Sequence, residues 1–342
     1  MCSLMLTESS QTTPLRRPLA RSGINLKSPA SAMTHHRVLV TGANKGIGLA
    51  IVKGLLERQH HCFVFLGCRD ITRGLDAVKS LTDECASYSG RVEALQIDVS
   101  DAGSVNQAAV AVRSRFSDTT ETPLTALVNN AGIMNPEYSF ENFAKCINVN
   151  VHGVMRTTEV FLPLLDQEKG RIVMISSAAG PSFVAGVSEE RKKQMTDPTV
   201  TLPQITGLMD ECLAISSSSK ADEIPVKFEE AGLAGADTRA GYGLTKALVN
   251  MYTMYLAREH PNLIVNACTP GFIVTDLAKP FETSTGKTIE EMGGKPPSEG
   301  AKVPIFLATG DVPSTGWYFG SDGLRSPLDR YRSPGDPAYD GK

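Results

Sequence analysis

The sequence predicts an α/β fold, a doubly wound parallel sheet in three α/β/α layers. Three observations predict it: apolar runs of strand length, amphipathic stretches of helix length between them, and a glycine-rich turn joining the first run to the first helix. The runs are Arg37 to Thr41, His61 to Gly67, Arg91 to Ile97, Leu124 to Asn129, Arg171 to Ser176 and Leu263 to Cys268. They are rich in β-branched and large apolar residues and too short for buried helices. Ile47 to Arg58, Thr72 to Tyr88, Ser104 to Phe116, Phe140 to Leu165 and Gly241 to His260 carry helical spacing. Strands separated by helices form βαβ units, whose crossovers cover both faces of a parallel sheet. No internal repeat of fixed period interrupts the pattern.

The pattern sets the expected boundaries within 342 residues. Residues 37–321 form one domain, and residues 178–240 are an insertion without a convincing strand. Within the insertion, Ile205, Leu208, Met209, Cys212 and Leu213 have helical spacing, so this lobe is expected to be partly helical. Residues 322–342, rich in Pro, Gly, Asp and Arg, are expected to be a disordered tail. Residues 1–36 are rich in Ser, Thr, Arg and Pro with Glu8 as the one acid, a composition that suits either an organelle transit peptide or an untargeted disordered leader. Met33 is a possible alternative start.

Net charge is -3, with basic residues scattered, so the broad positive field of a nucleic-acid binder is missing. No stretch approaches the roughly 20 apolar residues of a membrane span. Seven cysteines, odd in number and widely spread, show no C-x-x-C pair and no histidine at metal-ligand spacing. They read as reduced thiols with no metal site, and the expected location is the cytoplasm, or a plastid or mitochondrion if the leader is a targeting peptide.

The glycine turn is Thr41-Gly42-Ala43-Asn44-Lys45-Gly46-Ile47-Gly48. A strand, a tight turn and a helix start together cradle a phosphate, because unpaired amide hydrogens and the positive end of the helix dipole face the anion. The spacing is G-x-x-x-G-x-G rather than G-x-G-x-x-G, but it suits a Rossmann-type dinucleotide site. After the next strand, Cys68 stands where an acid would accept the ribose hydroxyls of NAD, and Arg69 follows. An arginine there suits the 2′-phosphate of NADP(H). Lys45 is expected to add a second positive charge to that phosphate.

Tyr242 and Lys246 lie four apart at the start of a helix and so share a face. An ammonium beside a phenol favours the phenolate, so Lys246 is expected to draw the Tyr242 pKa down toward working pH. A phenol so placed can give a proton to a carbonyl oxygen as hydride reaches the carbon.

Thr41 to Gly48, Asp98-Val99, Asn129-Asn130-Ala131-Gly132, Asn150-Val151-His152-Gly153, Ser176-Ser177, Tyr242 to Lys246 and Pro270-Gly271 occur in that order. The ordered set resembles the motifs of the short-chain dehydrogenase/reductase family over residues 37–319, and Asn44 to Leu49 with Arg69-Asp70 resembles its monomeric carbonyl reductase branch. The resemblance implies an NADPH-dependent reductase of ketones, aldehydes or quinones, with Tyr242 as general acid. Lys246 would bind the nicotinamide ribose and tune the tyrosine. Ser177, more than Ser176, would bond the substrate carbonyl, and Asn150 would hold a water linking Lys246 to solvent. Gly42, Asn44, Lys45, Gly46, Ile47 and Gly48 would line the pyrophosphate, Asp98 and Val99 the adenine, and Asn130 the adenosine side. Pro270, Gly271, Ile273 and Thr275 would line the nicotinamide end, with Met134, Phe272 and Trp317 around the substrate. The interval between Ser177 and Tyr242 is far longer than the family's dozen or so residues, as in the monomeric branch, so a monomer is expected with a small-molecule substrate as its partner. Two other readings remain open, a biosynthetic alcohol dehydrogenase of the same fold and a non-catalytic NADP-binding regulator.

Overall fold

A computed structural model describes residues 36–117 and 122–341. The leader, apart from its last residue, lies outside the described residues. Seven parallel strands form one sheet in the order β3-β2-β1-β4-β5-β6-β7. They are β1 (His36–Val40), β2 (Cys62–Cys68), β3 (Val92–Gln96), β4 (Ala126–Asn129), β5 (Arg171–Ile175), β6 (Ile264–Cys268) and β7 (Tyr318–Phe319). The chain runs outward from β1 to β3, then crosses back to pair β4 against β1. That reversal opens a crevice at the carboxyl ends of β1 and β4, where ligands bind in sheets of this kind. Six strands match the sequence expectation, and the two-residue β7 carries too little pattern to be read.

The first half contributes α1 (Gly46–Arg58), α2 (Ile71–Glu84), α3 (Ala102–Arg115), α4 (Phe140–Ile147) and α5 (Gly153–Phe161). Side-chain caps start several of them: Asp70 accepts from Thr72 and Arg73 amides, Asp101 from Ser104, and Ser139 from Asn142. The single helix expected over Phe140 to Leu165 is instead α4 and α5 joined by a π-helical turn over Asn148–His152. Such a turn places one extra residue in the helix and is common at functional sites.

The insertion holds α6 (Ala179–Ala185), α7 (Glu189–Thr196), α8 (Leu202–Ser218) and α9 (Ile224–Glu230). Ile205, Leu208, Met209 and Cys212 are buried as the spacing implies, with Leu213 at the edge of the same cluster. They share one core with Phe143, Phe228 and the apolar face of α10 (Tyr242–Glu259), so the lobe is an extension of the main core. The opposite sheet face packs α1 against α13 (Lys302–Thr309), reached through α11 (Lys279–Thr285) and α12 (Pro297–Gly300).

The tail corrects its expectation of disorder. Residues 322–341 fold back over the carboxyl edge of the sheet. Arg332 is buried in an ion pair with Asp322 and donates to Asp336 O at 2.7 Å and to Ser326 Oγ at 3.0 Å. Asp322 also accepts from the Gly335 amide at 3.1 Å and the Leu324 amide at 3.2 Å. Arg325 is sandwiched between Trp317 and Tyr339, its guanidinium 4.2 Å and 5.1 Å from the two ring centres. Cation–ring stacking and charge-assisted hydrogen bonds thus replace the apolar burial that the composition lacks. Replacing Asp322 by Ala strands the Arg332 charge, and we expect a loss of about 3 kcal/mol in denaturant-induced unfolding, with faster proteolysis after residue 322.

Candidate active site

One cleft of about 1240 Å³ runs along the carboxyl edge of the sheet. The segments following all seven strands line it, and so does the tail. Every residue that the sequence nominated for catalysis or cofactor contact lines this cleft except Asn150, which is fully buried behind it.

The glycine turn is shaped by close approach. Gly42 has φ of 63°, and a Cβ there would lie 2.9 Å from Ala131 Cα. A Cβ on Gly48 would lie 2.6 Å from both Asn130 Nδ2 and Gly42 O. Asn130 ties the turn down by donating to Thr41 O at 2.8 Å and Gly42 O at 3.1 Å. Thr41, whose role the sequence reading did not assign, accepts the amides of Asn130 and Ala131, each at 3.0 Å. The two loops that flank the crevice are therefore one hydrogen-bonded unit. α1 starts without a side-chain cap and with no acid in its first turn, which leaves its N-terminal amides to an anion.

At the end of β2, Cys68 is buried with its thiol on Asp70 O at 3.2 Å. Asp70 is committed to the α2 amides, and Arg69 and Arg73 line the cleft. This corner carries cations and no carboxylate free for ribose hydroxyls. Lys45 lines the cleft, and its exposed ammonium pairs with Asp276 at 2.6 Å. Asp276 also binds Lys279 at 2.5 Å, and these two lysines hold its carboxyl down to about 2. The Lys45 charge therefore bridges the glycine turn to the segment after β6, where Gly271, Ile273 and Thr275 also line the cleft. Asp98 is braced by Ser100, and Val99 packs against Gly153 with its carbonyl on Arg156 at 2.5 Å.

Ser176 and Ser177 separate clearly. Ser176 is buried and donates to Lys246 O at 3.2 Å, which anchors the helix backbone. Ser177 and Tyr242 both line the cleft, and the Ser177 hydroxyl accepts from the Ala179 amide at 3.2 Å. Lys246 is buried, with its ammonium donating to Ile175 O at 2.8 Å and lying 5.5 Å from the Tyr242 ring centre. Burial pulls this ammonium down to about 8. The expected depression of Tyr242 is not found: burial pushes its phenol up to about 12, against the opposing influence of the Ser177 hydroxyl. Lys246 donates to a backbone carbonyl, and burial of the phenol disfavours its charged form.

Asn150 projects from the π-helical turn and pairs with Ile133 in both directions, accepting from its amide and donating to its carbonyl, each at 2.8 Å. Its remaining amide hydrogen reaches Thr245 Oγ1 at 3.2 Å, so it ties the loop after β4 to α10. Asn150 Oδ1 and Lys246 Nζ both border the space above Gly132, 3.4 Å and 3.7 Å from where a Cβ would stand. Met134 and Phe272 line the cleft as expected, whereas Trp317 does not and instead stacks under Arg325. Arg239, Phe281 and Tyr331 line it unanticipated. Alternation of Arg with Tyr and Trp in 317–339 is the signal that the tail packs, and it was masked by the Pro and Gly content.

Gly48→Ala tests the turn. Its Cβ meets backbone and the Asn130 amide, so we expect about 1–3 kcal/mol of destabilisation by urea titration, where a surface glycine such as Gly207 tolerates Ala.

Comparison with known proteins agrees with this geometry. A family model for short chain dehydrogenase matches residues 36–189. Carbonyl reductase [NADPH] 1 of Homo sapiens is 31% identical over 80% of this chain and 90% of its own length. (+)-Neomenthol dehydrogenase of Arabidopsis thaliana is 31% identical over 80% of this chain and 92% of its own length. The structure of salutaridine reductase from Papaver somniferum superposes with a TM-score of 0.66 at 26% identity, covering 83% of this chain and 99% of its own. At this identity over most of both chains, the chain belongs to the short-chain dehydrogenase/reductase family.

Proposed function

We propose that this protein is an NADPH-dependent carbonyl reductase that protonates its substrate from Tyr242. The observation that carries the reading is that Ser177, Tyr242 and Lys246 line one cleft together with the glycine turn and Arg69. Resemblance to a relative named for NADPH and carbonyl reduction supports the same assignment.

When bound, the nicotinamide cofactor supplies the hydride. The α1 amides would face its pyrophosphate, and Arg69 with Arg73 its 2′-phosphate. Ser177 would orient the carbonyl oxygen toward the Tyr242 hydroxyl. A phenol raised to about 12 keeps its proton at neutral pH, which is the state a proton donor needs. Lys246 holds a positive charge near that oxygen as negative charge develops there. Asn150 and Lys246 border one space above Gly132, where a water through which Tyr242 could be reprotonated would sit. The substrate body would lie against Met134, Phe272 and Phe281, an apolar wall that suits lipophilic carbonyl compounds.

A biosynthetic alcohol dehydrogenase is the second reading, favoured by likeness to a relative named neomenthol dehydrogenase. It uses the same residues, with Tyr242 accepting rather than donating the proton. We also propose a monomer, because α7 and α8 pack over α10 and α4, the helices carrying the Tyr motif and leading into the Asn motif.

NADPH oxidation over a panel of quinones, aromatic aldehydes and keto esters tests the reading. Tyr242→Phe is expected to lower kcat by about 10²–10⁴-fold. Retained turnover would remove Tyr242 from the chemistry, and tight NADPH binding without turnover on any carbonyl would favour a regulator. Arg69→Ala should cut the NADPH over NADH preference about tenfold or more, read from kcat/KM for each cofactor. Sedimentation should give a single species at the mass of one chain, and a stable dimer would contradict the covering role of the insertion.

A further inference from the structure

The charges lining the cleft are nearly all accounted for. Of its five arginines, Arg73 pairs with Asp70, Arg330 with Asp329 and Arg332 with Asp322. Lys45 is paired with Asp276. Two guanidinium groups have no carboxylate partner among the described residues, Arg69 and Arg239. The proposed cofactor uses Arg69. Arg239 stands on the far side of the sheet order, three residues before Tyr242, and nothing in the reaction yet uses it. The nearest acid in sequence, Asp237, acts on Tyr138 and does not line the cleft.

The backbone that presents Arg239 is strained. Arg239, Ala240 and Gly241 have φ of 43°, 49° and 72°, three successive left-handed residues. For the two with side chains, this costs about 1–2 kcal/mol each. Packing explains Gly241, whose Cβ would lie 2.3 Å from the Phe143 ring. Ala240 is fully buried, and together they force residue 239 outward to the cleft mouth. There its guanidinium stacks 4.2 Å over the Phe281 ring, which meets Phe272 edge-on at 5.8 Å. Stacking occupies one flat face of a guanidinium and leaves the N–H groups along its edge free for a planar anion. Phe272 and Tyr331 are exposed at the same mouth.

We propose that Arg239 is an anion-binding position of the substrate site, and that the preferred substrates are aromatic or otherwise apolar carbonyl compounds bearing a carboxylate. The proposal rests on the carbonyl reductase reading above. Carbon and oxygen of the reacting group lie at Tyr242 and Ser177, the apolar body lies on Phe272 and Phe281, and the carboxylate meets Arg239.

The test compares benzoylbutyrate with its methyl ester, using the full chain and NADPH. The expected kcat/KM favours the acid by about tenfold, mainly through KM, and the acid-over-ester ratio falls toward one in Arg239→Gln and partly recovers in Arg239→Lys. A ratio near one in the wild type, or one unchanged by Arg239→Gln, overturns the proposal. Calorimetric binding of benzoylbutyrate to the NADP⁺-loaded protein separates this from the reductase reading. If neither compound is turned over, the reductase reading fails, yet binding that weakens about tenfold in Arg239→Gln still supports the anion position. No binding, or equal binding to both proteins, overturns it.

Discussion

One buried ammonium organises this site. Lys246 lies within a helix that is apolar around most of its surface, and its charge is met by the Ile175 carbonyl at the last residue of β5. Everything that holds α10 against the sheet serves that contact. Ser176 bonds the Lys246 carbonyl, and α6 approaches so closely that a Cβ on Gly180 would lie 3.0 Å from the Lys246 backbone. Taking a lysine out of water is costly, and the cost appears as an ammonium that yields its proton near pH 8. The same desolvation keeps the neighbouring phenol protonated. A donor that holds its proton and a cation poised to lose one are opposite outcomes of one apolar environment.

Much of this was legible in the sequence, and for identifiable reasons. Sheet strands carry their signal locally, as continuous apolar runs, and the glycine turn announces itself because Gly42 and Gly48 answer to close approach that no other residue meets. The Tyr, Lys, Ser and Asn positions were legible through their order along the chain. Both serines line the cleft, and the structure adds that the Ser176 hydroxyl is engaged by the backbone of α10.

What escaped the sequence depends on partners far apart along it. Lys45 meets Asp276 across 231 residues, and no local pattern foretells that its charge is already engaged. Tyr242 was expected to titrate low because Lys246 shares its helix face, but spacing gives proximity and not the direction of the ammonium, which a strand carbonyl captures. The tail looked disordered because its composition is poor in aliphatic residues, yet Arg325 and Arg332 organise it through rings and carboxylates. Left-handed backbone at Arg239 and Ala240 is invisible to propensity, since tertiary packing against Phe143 imposes it.

The account stands or falls on the buried lysine. Titration of Lys246 by NMR in the free protein, with its ε-carbon signal assigned by comparison with Lys246→Met, measures the consequence of burial directly. The account predicts a midpoint of about 8. A midpoint at the ordinary lysine value, about 10.4, would mean that the ammonium is solvated and the desolvated site described here does not exist.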